Sequence, residues 1–374
     1  MPYSMGNFLI KGMMMRYSAF IPRFYNYCKS LGFEAGKIMP SRAFCSDESQ
    51  GYPIILIAKH FGTFPFNHGR VGGVVATDRH GPQAHHGKDL AIIQASHVGY
   101  DPDTETFGLY RRLLVGDEAQ TSSCGKICAV LDWYVRELNF ARNRVFFTLV
   151  DHTPAIVIDN LLLDVKRDEG LFLSLEKLVE MVDGELAHPI HVYSIAKAYR
   201  LNLAFMEELS DSLWQDGKRI PIGDHLTAEL FRFKRNTLRA TEGHNHLEEN
   251  LSHTLPHIIT SAHPALAAAQ ANTQTEFDRT YRSIIKEAGY QGKNLAFISG
   301  LNIDISPRPG QLFPLTKFVP WAAYIQTEDG QQFTLEQDEL LAKLHEQPTE
   351  NPDQIDLEQA ISIMEQAEEV SVKL

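Results

Sequence analysis

Short apolar runs separated by turn-rich segments dominate the first 150 residues. They cover residues 53–58, 71–76, 90–95 and 144–150, and they are partly β-branched. This pattern is typical of strands that are buried on both faces of a sheet. Such strands need helices over them, and residues 125–140 carry apolar side chains at helical spacing. The pattern therefore predicts an α/β arrangement.

The remainder of the chain shows longer helical patterns followed by two further strands. Helices are predicted at residues 171–182, 189–209 and 277–288, and strands at residues 295–303 and 316–326. Residues 241–272 are rich in His and Ala and broken by two prolines, which indicates irregular helices or a surface loop. Strands at both ends with helices between them predict one α/β unit with a mostly parallel central sheet.

The N-terminal apolar run at residues 8–21 is interrupted by Lys11 and Arg16, and no small-residue cleavage pattern follows it. We interpret it as a packed helix rather than a signal peptide, with another kind of targeting segment as the alternative. No apolar run reaches the roughly 18 residues of a membrane span. A cytoplasmic location is the expectation, and organellar targeting stays open.

Charge is distributed unevenly along the 374 residues. The 35 basic and 47 acidic side chains give a net charge of -12, which argues against a protein that binds nucleic-acid phosphates. Residues 328–374 hold 13 of the acids and only two lysines, so nearly all the net charge lies there. Two amphipathic helices are predicted in this segment, at residues 335–345 and 356–368. We interpret it as an appended acidic helical tail.

The chain has four cysteines, Cys28, Cys45, Cys124 and Cys128. In a reduced compartment, cysteines are metal ligands, reactive thiols or small core residues more often than disulfides. Cys45, His97 and Cys124 each adjoin a predicted strand or helix, where open α/β sheets place their sites. Two thiolates and an imidazole suit Zn2+, with the fourth position left for water or a carboxylate.

Cys124 directly precedes the helix predicted from Gly125, whose N-terminus is expected to lower the pKa of the thiol. The three residues are separated by 51 and 26 intervening residues, without a CxxC pair. The alternative is therefore that both cysteines and His97 are ordinary core residues.

The motifs around these residues resemble a known family. Cys45-Ser46-Asp47 resembles the Cys-x-Asp signature of β-type carbonic anhydrases. The blocks IIQASHVGYD and QTSSCGKI resemble the zinc-binding region of the limiting-CO2-inducible protein B/C family (LCIB-like, θ-type carbonic anhydrases). The glycine-bearing stretch at residues 66–75 is also similar, and the strong resemblance covers about residues 44–126.

This resemblance implies a β-carbonic-anhydrase-like fold in which Cys45, His97 and Cys124 ligate Zn2+. It implies interconversion of CO2 and bicarbonate through zinc-bound hydroxide, and a homodimer. Asp47 would occupy the fourth zinc position or accept a hydrogen bond from the hydroxide. Members of the family need not all be competent enzymes. The alternative is a weak or inactive zinc-binding homologue that binds a partner in inorganic-carbon handling.

One position departs from the β-type pattern Cys-x-Asp-x-Arg, in which the arginine holds the aspartate off the metal. Ser49 stands at that position here. The cation that partners Asp47 must then come from elsewhere, and the candidates, in order, are Arg112, Arg111 and Arg79. If none of them reaches Asp47, the carboxylate stays on the metal and the enzyme is weak.

CO2 is small and apolar, so its pocket needs apolar walls. The candidates are Phe61, Phe64, Phe66 and Val74, with ordinary core packing as the alternative. Proton transfer needs groups that titrate near neutrality. The candidates are His80, His85 and His86. The alternative is that they are solvated loop residues.

Three further features have simpler interpretations. The histidines between residues 244 and 263 lie in a polar context that favours a solvated surface segment over a metal site. Cys128 is interpreted as a small buried hydrophobe, and Gly69 to Gly73 as a turn or a close backbone approach. The predicted domains are an N-terminal helical segment (1–34), a zinc domain (35–328) with a helical, His-rich insertion at about 165–290, and the tail (329–374). We expect a chain that ends after Asp329 to keep its metal.

Overall fold

The computed structural model describes residues 8–70, 73, 89–111, 120–236, 245–308, 311 and 314–368. Its strands are β1 (Met15–Arg16), β2 (Ile38–Ala43), β3 (Phe66–Asn67), β4 (Asp89–Asp101), β5 (Thr106–Phe107), β6 (Leu109–Arg111), β7 (Gln120–Ser122), β8 (Val145–Val150), β9 (Thr153–Asp159), β10 (Gly170–Leu173), β11 (Met181–Val182), β12 (Glu185–Leu186), β13 (His191–Val192), β14 (Ala196–Arg200), β15 (Ile220–Pro221), β16 (Phe231–Lys234), β17 (Leu295–Ile305), β18 (Leu315–Gln326) and β19 (Gln332–Leu335).

The α-helices are α1 (Tyr17–Ser30), α2 (Gly51–Phe61), α3 (Gly125–Arg142), α4 (Asn160–Leu163), α5 (Leu175–Leu178), α6 (Leu203–Glu207), α7 (Asn245–Leu251), α8 (Leu255–Thr260), α9 (Pro264–Lys286), α10 (Gln337–His345) and α11 (Leu357–Glu365). Within the described residues, no helix is long and apolar enough to cross a bilayer.

The chain divides into two compact units. The continuous unit comprises residues 128–268, and the split unit comprises the chain before residue 128 and after residue 268. The sequence pattern predicts one α/β unit, whereas the structure divides the chain into two. The predicted boundaries at residues 34 and 328 stay a prediction.

The split unit is built on one sheet in the order β1-β18-β17-β4-β2-β3, with β19 beside β18 and β5 beside β4. β17, β4, β2 and β3 run parallel, and β18 joins antiparallel to β17. The predicted α/β class with a mostly parallel central sheet is confirmed.

Both faces of this sheet are covered, which explains the continuous apolar run of β4. On one face Ala91, Ile93 and Ala95 pack in a core to which α1, α2 and α10 contribute. On the other face Leu90 and Ile92 pack with side chains of α9. Because side chains alternate along a strand, His97 belongs to the series of Ala91, Ile93 and Ala95.

The continuous unit has a five-stranded antiparallel sheet in the order β13-β14-β9-β8-β15. Residues 171–182 and 189–209 contribute short strands with the short helices α5 and α6 here, so the predicted long helices are wrong. In β14 the buried Ala196 and Ala198 alternate with the half-buried Lys197, which is a strand period of two.

Residues 53–58 form part of the helix α2, so the strand predicted for them is wrong. Short apolar runs do not distinguish a strand from a buried helix. Leu56, Ile57 and Phe61 share the buried side, and Gly62 ends the helix in the left-handed conformation with a φ of 75°. The strand predicted at residues 71–76 falls outside the described residues, apart from Gly73.

The ends of the described chain differ in part from expectation. The N-terminal helix begins at Tyr17 rather than at residue 8. Both C-terminal helices form where they are predicted, but Leu340 and Leu344 of α10 are fully buried in the core that contains α1. Gln337 also bonds to both backbone groups of Leu9. The expectation of an appended tail is therefore wrong for α10, since ending the chain at Asp329 would remove core leucines.

Candidate metal centre

Cys45, His97 and Cys124 come together at one place in the split unit. One ligand atom from each lies within 4.8 Å of those of the other two. All three side chains are buried. In the part of the chain that the structure describes, no other group of three or more potential ligands is this close. The cluster could hold a metal ion.

The topology of the sheet explains why residues so far apart in sequence meet. β2 and β4 are parallel neighbours with Ala43 opposite Gln94, so Cys45 emerges beside the end of β4 that carries His97. Cys124 lies directly before α3, and the peptide bond between Ser123 and Cys124 is cis. Adjacent strand ends and a helix start therefore supply the three side chains, as is typical of sites in α/β sheets.

Backbone contacts at Gly99 bring Cys124 to His97. The Gly99 N–H donates to the Ser123 carbonyl at 2.8 Å, and the Ser123 N–H donates to the Gly108 carbonyl at 2.9 Å. A Cβ atom at Gly99 would lie 2.5 Å from the Leu109 carbonyl oxygen. The glycine of the His-Val-Gly motif is required because the returning loop packs directly on its Cα.

Gly69 and Gly73 make similar close approaches. A Cβ at Gly69 would lie 2.1 Å from the carbonyl oxygen of Phe44, the residue before Cys45. A Cβ at Gly73 would lie 2.9 Å from the Cα of Ser96, the residue before His97. The interpretation of this segment as a close backbone approach is confirmed, and the approach is to the residues that directly precede two of the candidate ligands.

Asp304 holds the imidazole of His97 through its Nδ1 atom. The two side chains are fully buried, and His97 Nδ1 donates to Asp304 Oδ2 at 2.8 Å. Asp304 lies on β17, next to β4 in the sheet. A histidine that donates from one ring nitrogen presents the lone pair of the other, which is the usual arrangement for a metal ligand.

The remaining nitrogen of His97, Nε2, supports a metal site. It is buried and has no hydrogen-bond partner within the described residues. A buried polar atom without a partner is costly and calls for an explanation. Since Nδ1 is used by Asp304, Nε2 is the atom left for the two thiols. A metal ion that bonds to Nε2 and both sulfurs would satisfy all three groups, so the residues fit Zn2+.

The candidate ligands shift one another's pKa values. Burial lowers the pKa of His97, but the hydrogen bond to Asp304 and the two thiols raise it, and the net shift is upward. The interaction with Cys45 and burial raise the pKa of the Cys124 thiol, although His97 opposes them. The net direction of this pKa for the ligand groups alone is therefore upward, and the lowering expected from the helix N-terminus stays a prediction. A bound divalent cation would favour the thiolate forms.

A 3-10 turn at residues 48–50 follows Cys45; Asp47 directly precedes it and Ser49 lies within it. Asp47 Oδ1 accepts a hydrogen bond from the Ser49 N–H at 3.1 Å and caps this turn. Burial raises the pKa of Asp47, but His97 and the bond from Ser49 outweigh it, so that the net direction is downward. Ser49 itself is buried and donates its hydroxyl to Asp304 at 2.9 Å. At the position where β-type enzymes have arginine, this chain has a buried serine.

The structure describes one of the three arginine candidates. Arg111 Nη2 lies 2.6 Å from Asp103 and 4.0 Å from the buried carboxylate of Asp101. Arg112 and Arg79 lie outside the described residues. Which cation partners Asp47 stays a prediction.

The candidate wall residues have different environments. Phe61 packs on Phe24 and Tyr25, with ring centroids 6.2 and 5.2 Å away, as in the core alternative. Phe64 is 71 % exposed and Phe66 41 %. Val74 and the candidate proton-transfer residues His80, His85 and His86 fall outside the described residues. These assignments stay predictions.

Asp304 is the functional residue that sequence reasoning missed. It lies 207 positions after His97, so no local spacing connects the two. One signal was available: in the run LAFISGLNIDI, the polar side chains Asn302 and Asp304 alternate with isoleucines at the end of the strand predicted at residues 295–303. Buried polar residues at alternate positions of such a strand indicate a shared polar partner.

Comparisons with known proteins give structural matches only. No protein-family model matches the chain, and the search of curated proteins returns no match. The structure is similar to PtLCIB4, a homolog of the limiting CO2-inducible protein LCIB, at 10 % identity and a TM-score of 0.49. That match covers 87 % of this chain and 95 % of the other. LCIB matches at 14 % identity and a TM-score of 0.45, over 90 % and 99 % of the two chains. The likeness concerns the fold.

Proposed function

We propose that this protein is a zinc-dependent carbonic anhydrase that interconverts CO2 and bicarbonate. The observation that carries the proposal is the buried Cys45–His97–Cys124 cluster, in which Asp304 accepts from Nδ1 of His97 and Nε2 has no hydrogen-bond partner among the described residues. The motifs around the three residues, which resemble the LCIB-like family, add the substrate class.

Cys45, His97 and Cys124 would hold the ion through two sulfurs and one nitrogen. When bound, Zn2+ supplies Lewis acidity that lowers the pKa of water from about 15.7 toward about 7, so that hydroxide is available at neutral pH. Asp304 orients His97, and the Ser49 N–H orients the carboxylate of Asp47. Asp47, two residues after Cys45, would accept a proton or a hydrogen bond from a reacting group.

A second candidate is a zinc protein with weak or no hydration activity that acts by binding a partner. It is favoured by the buried Ser49 at the position of the arginine in β-type enzymes. With a serine instead of a guanidinium at that position, the carboxylate of Asp47 would bind the metal itself. A carboxylate in the fourth position would close the site.

Metal analysis coupled to CO2 hydration kinetics distinguishes these candidates. We expect about one zinc per chain, as a three-ligand site requires, and hydration activity that falls with zinc content in Cys45→Ser and His97→Ala. Zinc without hydration activity, also after treatment with reductant, would favour the second candidate. A wild-type protein that binds no zinc would exclude both.

A further inference from the structure

Beyond the three candidate ligands, a connected set of buried polar side chains extends from His97 through the core of the split unit. No member is more than 1 % exposed. The members are Tyr17, Ser49, Gln50, His97, Asn302, Asp304 and Thr316. A polar network in an apolar core is tolerated only where its hydrogen bonds are satisfied, so its arrangement is informative.

Asp304 is the centre of this network. Its Oδ2 accepts from His97 Nδ1 at 2.8 Å, from Ser49 Oγ at 2.9 Å and from Gln50 Nε2 at 2.8 Å. Its Oδ1 accepts from Thr316 Oγ1 at 2.9 Å. Four donors on one carboxylate fix its position and the plane of its oxygens.

The hydrogen bonds from Tyr17 to Asp304 form a series in which each donor determines the orientation of the next side chain. The Tyr17 hydroxyl donates to Asn302 Oδ1 at 2.6 Å, so the Asn302 amide nitrogen is directed to Gln50 Oε1, also at 2.6 Å. The amide nitrogen of Gln50 is then directed to Asp304. Because each amide has one acceptor end and one donor end, Tyr17 sets the orientation of Gln50 toward Asp304.

We propose that Asp304 is a positioning residue for the metal, because it fixes two of the three ligand segments at once. It holds His97 with Nε2 free for the ion, and through Ser49 and Gln50 it holds the turn that follows Cys45 and Asp47. The third ligand segment depends on backbone contacts instead, since Ser123 is bonded to Gly99 of β4. The cluster is thereby assembled before an ion binds.

This inference rests on the metal-binding part of the proposed function. The test is Asp304→Asn, measured in the full chain by competition for Zn2+ with a chromophoric chelator. Outer ligands of this kind contribute about 10- to 100-fold in metal affinity, and we expect a loss in that range. The visible spectrum of the Co2+-loaded protein should change as well, because His97 loses its fixed orientation.

Asp89→Asn is the matched control. Asp89 is also a buried aspartate of the split unit, and it accepts from Glu34 N–H at 2.9 Å and Asn294 Nδ2 at 3.0 Å. It begins β4, eight residues before His97, at about 26 Å along the strand. We expect its zinc affinity and Co2+ spectrum to match the wild type, whatever its effect on the unfolding midpoint.

Ser49→Ala and Thr316→Val each remove one donor to Asp304 and keep the side-chain volume nearly unchanged. A single hydrogen bond corresponds to about 2- to 10-fold, and each variant should lose affinity in that range. These two variants carry the test if Asp304→Asn does not fold.

The outcomes separate the inference from the proposed function. Wild-type zinc affinity and an unchanged Co2+ spectrum in Asp304→Asn, or in both milder variants, would overturn the inference even if stability falls. Metal binding that depends on Asp304 in a protein without hydration activity supports the inference and overturns the enzyme. A wild-type chain that binds no metal overturns both.

Discussion

In the continuous unit, histidines that lie close together in sequence are exposed, whereas in the split unit the buried histidines are isolated in sequence. His246 and His253 lie close together in a segment dense in histidine, and both are exposed. His97 has no neighbouring ligand in sequence, yet it lies within a buried group of three. His60 and His68 are also buried and isolated in sequence.

The difference teaches that a site depends on where the sheet brings residues together, not on how densely they occur along the chain. In the His-rich segment the described ring contacts are long and to exposed acids: His246 to Glu249 and His257 to Glu229, each at 3.9 Å. At His97 the bond to Asp304 is 2.8 Å long, and both side chains are fully buried.

Metal binding provides the strongest test of this comparison. Cys124→Ser removes a sulfur ligand and should lower zinc affinity by more than the roughly 100-fold upper range of an outer-ligand change. The double variant His253→Ala/His257→Ala should change it less than about twofold, because these side chains lie in the other unit. Both are measured by chelator competition. A large loss of zinc affinity in the double variant would show that the histidines clustered in sequence bind the metal, and would contradict this comparison.

The loop that returns to Gly99 gives the next largest effect. Gly99→Ala places a Cβ 2.5 Å from a backbone oxygen and should cost about 1–3 kcal/mol of unfolding free energy, as overpacking does. It should also weaken metal binding, since Ser123 and Cys124 must shift.

Gly289→Ala is the control for this substitution, because nothing lies within 4 Å of a Cβ built there and its backbone is not in the left-handed region. Its unfolding free energy, from urea titrations, should be unchanged or slightly higher. Equal stability of the two variants would contradict the close approach at Gly99.

Protonation of a buried histidine gives a smaller, pH-dependent effect. Burial, with a contribution from Arg42, lowers the pKa of His68 to about 3. The unfolded chain, with a histidine pKa of about 6.5, then binds more protons than the folded one below that pH. The free energy of unfolding therefore has its full value above pH 6.5 and decreases as the pH falls, by about 2 kcal/mol at pH 5.

His68→Asn should remove this part of the pH dependence, whereas the exposed His253→Asn should leave it. Urea unfolding of the metal-free chains at pH 7 and pH 5 gives the comparison. If His68→Asn loses as much stability on acidification as the wild type, the buried histidine does not cause the pH dependence of the free energy of unfolding.

Where one periodicity dominated, the sequence predicted the elements. β4, β17 and β18 are long buried strands and α3 is a long amphipathic helix, and all four form as expected. The prediction was wrong at α2 and at residues 171–182 and 189–209 of the continuous unit, where short apolar segments fit a helix and a strand equally well. Only packing against distant residues decides such cases.

The candidate ligands could be predicted because Cys45, His97 and Cys124 adjoin long elements and carry recognisable motifs. Asp304 could not be predicted in the same way, because its link to His97 depends on the pairing of β17 with β4 in one register, Asn302 opposite His97. Strand order and register are properties of the whole sheet and have no local signature.

The contacts between the first and last described segments have a consequence for protein synthesis. Gln337 bonds to Leu9, Tyr25 to Asp353, and Asn26 to the carbonyls of Pro348 and Glu350. The helix α1 is translated early but completes its packing only after more than 300 further residues have left the ribosome. The continuous unit, whose residues are nearly all consecutive, has no such delay. The network around the metal centre likewise cannot be completed before residues 302–316 have been translated, since Tyr17 bonds to Asn302 and Asp304 to Thr316.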